Sequence, residues 1–212
     1  MRFPTETIKG AFLGLDLGQR RDFTAIAVVA VTDVILGQEK FAYNFIRKTE
    51  LRIVHLARIP LGKPYSELPP VLHNVVDETR RIAKPQPTLA VDATGPGTPV
   101  IEMIRNAGLD SSVLPALITG GETSSGKPVH GFYSIARKDL LSTLRVAIET
   151  RRLKGAPSLA LKDEFLSELR TLEAESASHA RNHDDLVFAV ALALWAAKTR
   201  GAIEIEGESR ES

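Results

Sequence analysis

The stretch AFLGLDLGQRRDFTAIAVVAVT, Ala11 to Thr32, sets two apolar runs on either side of a short polar turn. AFLGLDLG (11–18) and FTAIAVVAVT (23–32) read as strands, and Gly18 to Asp22 between them as a hairpin loop. A carboxylate, Asp16, closes the first run. An acid at the end of an apolar strand is expensive to desolvate unless something compensates its charge. Its simplest role is to form the turn that follows. Choosing between that role and a chemical one depends on where other acids fall.

Working outward, ELRIVHLARI (50–59) alternates as a third strand, and VILGQEKFAYNFIRK before it either continues the second strand or forms an excursion. After about residue 66 the pattern changes to alternating helices and strands. YSELPPVLHNVVDETRRIAK (65–84) has a Ser- and Pro-containing start and a helical stripe of Leu72, Val75, Val76, Thr79 and Ile82. TLAVDATG (88–95) is a short buried strand ending in a second acid, Asp92. TPVIEMIRNAG (98–108) is a helix closed by Gly108, and SVLPALIT (112–119) a strand. SIARKDLLSTLRVAIETRRL (134–153) and KDEFLSELRTLEAES (162–176) are helices. The last helix opens with NHDD and continues through twelve apolar residues, Leu186 to Ala197. Residues 1–10 read as a tail or linker, 11–202 as one domain, and 203–212 as a flexible acidic tail.

At 212 residues, 43% apolar and with a formal charge of +1, the chain has the composition of an ordinary globular protein. It has no cysteine, which excludes disulfides, thiolate nucleophiles and thiolate zinc sites and fits a reducing cytoplasm. No secretory signal opens it, and its longest apolar run is well short of the ~20 residues that span a bilayer. No membrane partner is expected. Basic pairs recur at Arg20-Arg21, Arg47-Lys48, Arg137-Lys138 and Arg151-Arg152, each in isolation a solvated surface.

Three antiparallel strands followed by alternating helices and strands is the pattern of the ribonuclease-H-like fold: α/β, with a five-stranded mixed sheet of order 3-2-1-4-5 flanked by helices. In that order the first and fourth strands are parallel neighbours where the order reverses, the place where open α/β sheets bind ligands. Asp16 and Asp92 both end there, and the Asp184-Asp185 pair opens a helix as a third acidic locus. Asp at a helix start also has the plainer role of capping, favourable by roughly 0.3–1 kcal/mol. Several carboxylates within a few Å of each other cannot all stay ionised without cations. Oxygen-only ligands favour Mg²⁺ or Mn²⁺, and two such ions ~3.5–4 Å apart stabilise the attacking and leaving oxygens of a phosphodiester displacement.

GLDLGQRRDFTAIAVV, LAVDATGPGTPVIEMIR, IARKDLLSTLRVAIETRRL and NHDDLVFAVALA, in this order and spacing, resemble the C-terminal nuclease domain of phage large terminase subunits, over roughly residues 10–200. The resemblance implies a metal-dependent endonuclease that cuts concatemeric double-stranded viral DNA during genome packaging in the host cytoplasm. It implies Asp16 and Asp92 as metal ligands and a third ligand from the HDD motif, Asp185 before Asp184. His183 orients a ligand or contacts phosphate, and Arg20, Arg21, Lys127, Arg137 and Lys138 are candidate DNA or auxiliary contacts. The partners implied are DNA, a packaging ATPase, a small terminase and a portal protein. Two departures stand out. Many family members have a further Asp one turn after the HDD pair, where this chain has Phe188. Large terminases also carry an N-terminal ATPase, which is lacking here, so the chain reads as an excised domain or a free-standing relative.

Rival readings are a one-lobe relative of sugar-kinase/actin-type ATP-binding domains, another ribonuclease-H-like nuclease such as a Holliday-junction resolvase, and a DNA-binding or portal-docking module with a weakened site. GETSSGKP (121–128) satisfies GxxxxGK, but Pro128 stands where a P-loop needs a hydroxyl, and the segment reads either as a plain surface loop or as a loop near the site that reaches DNA through Lys127 and His130.

Overall fold

The computed structural model describes residues 6–18, 22–38, 45–95, 97–156, 158–174 and 184–204. The opening stretch forms a hairpin: β1 (Glu6–Asp16) pairs antiparallel with β2 (Thr24–Gln38), in a register that ends with Asp16 beside Ala25. Where the chain leaves β1, the Gly18 N–H donates to the Thr24 hydroxyl at 3.1 Å. A side chain at Gly18 would collide with the backbone of Asp22 and Phe23. β3 (Phe45–Ile59) pairs antiparallel with β2, so VILGQ continues the second strand. β4 (Thr88–Asp92) lies parallel to β1 on its other side, and β5 (Ser112–Thr119) parallel to β4.

These five strands have the expected order, and two short ones extend it. β6 (Tyr133–Ala136) runs parallel beside β5 and β7 (Leu153–Gly155) parallel beside β3, giving the seven-stranded order β6-β5-β4-β1-β2-β3-β7. The helix expected over 134–153 is therefore shorter, α3 (Arg137–Glu149), and both its flanks are strand. An unpaired sheet edge leaves N–H and C=O groups unsatisfied, and the parallel pairing of β6 with β5 meets that demand along β5.

The remaining helices are α1 (Leu68–Ile82), led in by a 3₁₀ turn at Tyr65–Glu67, α2 (Thr98–Asn106), α4 (Lys162–Ala174) and α5 (Asp185–Thr199). The stripe of α1 is buried from Leu72 to Thr79, whereas Ile82, expected to continue it, is exposed. β1 begins at Glu6, inside the stretch expected as a tail, and Ile203, expected in the C-terminal tail, packs into the core. Residues 1–5 and 205–212 lie outside the described residues.

Strand alternation sends side chains to two separate cores. Leu13, Leu15, Ile26, Val28, Leu89 and Val91 face α1 and α2. Phe12, Ala27, Val29, Ala90 and Leu114 face the opposite way, toward α3, α4 and α5. On that second face α5 lies between the sheet and α3 and α4, which explains why its apolar residues run all the way round. It packs directly on β1 at Gly14, where an added Cβ would stand 1.9 Å from the Ala189 carbonyl oxygen. Only glycine lets a helix backbone come that close to a strand.

Candidate active site

Alternation also aims the acids. Phe12 faces α5 while Leu13 and Leu15 face away, so Gly14 and Asp16 share the α5 side. By the same count Ala90 and Asp92 share it on β4. Leu15 is level with Val91 in the parallel register, so one residue on, Asp16 and Asp92 stand side by side at the strand ends. α5 begins above them because Gly14 fixes its height on β1. A cavity of about 290 Å³ opens at this place, lined by Asp16, Asp92, Thr94, Thr119, Arg137, Asp184 and Phe188 among others.

Each acid has a different environment. Burial, then the charges of Asp92, Asp185, Asp184 and Asp22, push the Asp16 carboxyl well above the usual carboxylate range. Burial also raises Asp92, partly offset by the Thr94 hydroxyl and N–H, which both donate to its Oδ1. The Thr94 hydroxyl in turn accepts the Ile118 N–H at 2.8 Å, tying the Asp92 turn to β5. Asp184 stands at the N-cap position of α5, but its side chain makes no capping bond. It accepts a hydrogen bond from Arg137 Nη2 at 2.9 Å instead.

Glu168 of α4 does the capping: its Oε2 accepts the Val187 N–H at 3.0 Å. Glu168 also pairs with Arg58 of β3, whose Nη2 lies 3.7 Å from Asp185 and whose guanidinium stacks 4.9 Å from the Phe23 ring centre. Burial outweighs these contacts and pushes the Glu168 carboxyl up to about 7. A side-chain cap at this helix start thus comes from Glu168 and not from Asp184. Asp184 is on the cavity wall, and Asp185 is buried behind it, where its charge still reaches Asp16.

The arginines divide the acids into two groups. Asp184 has Arg137, and Asp185 shares Arg58 with Glu168. No cation among the described residues pairs with Asp16 or Asp92, the two acids that end adjacent strands. Among the described residues no three acid, histidine or cysteine side chains converge closely enough to hold one metal ion between them. The donor chemistry of the Asp16–Asp92 pair nevertheless fits a divalent ion: carboxylate oxygens, mutual repulsion, and a cavity in front of them.

The other expected contacts separate. Arg137 lines the cavity. Lys138, its neighbour, pairs with Glu122 and borders a different groove between α3 and α4. Lys127 and His130 lie exposed in the loop after β5, and no helix follows the GxxxxGK sequence. Arg20, Arg21 and His183 lie outside the described residues. Thr94, Arg58 and Glu168 belong to the site or its support but carry no sequence signal. Their partners stand 2, 127 and 19 positions away, at Asp92, Asp185 and Val187.

No protein-family model matches this chain, and no curated protein matches it either. Among solved structures it is similar to the human cytomegalovirus terminase nuclease domain soaked in manganese, with 15% identity and a TM-score of 0.58 over 89% of this chain and 82% of that one. The inhibitor-bound form of that domain gives 16% identity and a TM-score of 0.56 over the same shares. A Thermus thermophilus RuvC structure matches at 17% identity and a TM-score of 0.42, over 90% and 96% of the two chains, too distant to carry weight. The likeness establishes the fold: a ribonuclease-H-like mixed sheet flanked by helices. Among the described residues no helix is long and apolar enough to cross a membrane.

Proposed function

We propose that this chain is a divalent-metal-dependent endonuclease acting on double-stranded DNA and, more finely, the cutting domain of a viral genome-packaging machine. One observation carries the reading. Three acids from separate parts of the chain, Asp16, Asp92 and Asp184, line one cavity at the reversal point of the sheet. The fold shared with a nuclease domain of a viral terminase supports it, as does the manganese used with that domain. The packaging ATPase, small terminase, portal and host cytoplasm belong to the finer proposal.

Asp16 and Asp92 would hold the ion, with Asp184 a further carboxylate on the cavity wall and Asp185 close behind it. A bound Mg²⁺ or Mn²⁺ supplies Lewis-acid polarisation of a phosphodiester and a more acidic water. Thr94 fixes the Asp92 carboxylate in one orientation through two hydrogen bonds. Arg137 brings a guanidinium to the same wall, suited to phosphate oxygens. The overall reaction adds water across one phosphodiester, leaving a phosphate monoester and an alcohol. The expected pair of ions draws a third carboxylate from Asp185 or Asp184, and Arg137 already holds Asp184.

The test is nicking and linearisation of supercoiled plasmid with Mg²⁺, Mn²⁺ or EDTA, with Asp16→Asn and Asp92→Asn alongside. Cutting that requires metal and falls at least ~100-fold in both folded variants is the expected result. Cutting that survives EDTA, or is unchanged in either variant, removes the assignment. A second reading, a DNA-binding module that keeps the scaffold without cutting, draws on Phe188 standing where a further acid is expected. Duplex binding without metal-dependent cutting in any buffer would favour it.

A further inference from the structure

The cavity holds a cation of its own. Arg137 is the first residue of α3, and its side chain leans into the acid cavity with half its surface exposed. One Nη2 bond goes to Asp184. The central carbon of the guanidinium lies over the Phe188 ring, 4.3 Å from its centre, and Phe188 is itself buried on α5 one turn beyond Asp184. The start of α3 is fixed from outside: the Ser124 hydroxyl accepts the Ala136 N–H and donates to Asp139 in the first helical turn. Arg137 is therefore placed by a fixed helix start, a stacking ring and a carboxylate, with further N–H donors left to face the cavity.

Where a further carboxylate would give a second ion a ligand, Phe188 gives a guanidinium a surface. We propose that Arg137 is the phosphate-binding residue of this cavity and takes the place of a second divalent ion. The cavity accepts one ion, on Asp16 and Asp92, and one DNA phosphate, on Arg137. This rests on the nuclease reading and narrows it. Asp184 then acts as the anchor that aims Arg137, and its pairing with a guanidinium removes it from sharing a second ion.

Binding measurements test this without activity. Mn²⁺ titration followed by calorimetry and by electron paramagnetic resonance gives the number of ions per chain. We expect one for the native protein and for Arg137→Lys, and two for Arg137→Ala, where Asp184 is released. In EDTA, where nothing is cut, Arg137→Ala weakens duplex DNA binding and lowers the slope of log affinity against log salt by about one. Circular dichroism confirms that the variants fold. Two Mn²⁺ ions of similar affinity on the native protein overturn the role of Arg137 while leaving a metal nuclease in place. An unchanged ion count or an unchanged salt slope in Arg137→Ala overturns it as well. A native protein that binds no Mn²⁺ overturns the nuclease reading itself, and this proposal with it.

Discussion

Asp16 shares its cavity with Asp92 and Asp184 and has Asp185 close behind, so burial and like charge both oppose its ionised form. Its folded-state affinity for a proton lies above the ordinary 3.8 of the unfolded chain, so stability is lost as pH climbs through that value toward the raised one. Asp16→Asn removes the penalty. In EDTA the variant should melt higher than the native protein at pH 8, by roughly 2–4 °C for each kcal/mol recovered, and the gap should close near pH 4. A native protein that melts higher at pH 8 would refute the electrostatic picture. Thr94 belongs to the same scale. Thr94→Val deletes one hydroxyl that serves both Asp92 and Ile118, and should cost about 1 kcal/mol in denaturant titration. It should also slow plasmid cleavage about 10- to 100-fold, since Asp92 loses its fixed orientation. Unaltered cleavage would show that Thr94 serves the turn alone. Asp16 and Asp92 were readable from sequence because each ends an apolar run that can only be a strand. Arg137 on Asp184 was not: the contact spans 47 positions, and an Arg-Lys pair gives no hint of which cation turns inward.

Among the elements, α5 and β1 meet at Gly14 with no room for a methyl group. Gly14→Ala would have to push the helix off the strand, moving Asp184 and Asp185 away from Asp16. We expect a loss of about 3 kcal/mol in chemical denaturation, with cleavage lost even where the variant remains folded. A variant of native stability would show that α5 tolerates displacement. The five central strands were legible because each is long or bounded by turn residues, and the apolar residues of α5 mark it as a buried helix. β6 and β7 were not, for a physical reason. Tyr133–Ala136 and Leu153–Gly155 are 4 and 3 residues long, the first contiguous with α3 and the second just beyond its end, so a helical period can run on into them. What makes them strands is the open sheet edge beside them, and no local sequence records that edge. What the sequence also does not show at the start of α5 is Glu168, which arrives from α4 to accept the Val187 N–H.

At the scale of the whole molecule, three acids are raised together: Asp16, Asp92 and Glu168, the last to about 7 from an ordinary 4.5. All three favour the folded state when protonated. Without metal the protein should therefore gain stability as pH falls from 8 to 5.5, against the usual trend of acid denaturation. Mn²⁺ should stabilise the fold at pH 8 by about 2.7 kcal/mol at a hundredfold excess over its dissociation constant, raising the melting temperature, and do so less at pH 5.5 where protons compete. Scanning calorimetry over that grid checks both; a metal effect independent of pH would argue that the ion binds elsewhere. The cavity's three acids come from residues 16, 92 and 184, on β1, β4 and the start of α5. None of these segments holds two of them in place without the others. A chain emerging from the ribosome has Asp16 and Asp92 long before the helix that brings Asp184, so the three carboxylates meet only once α5 has docked on β1.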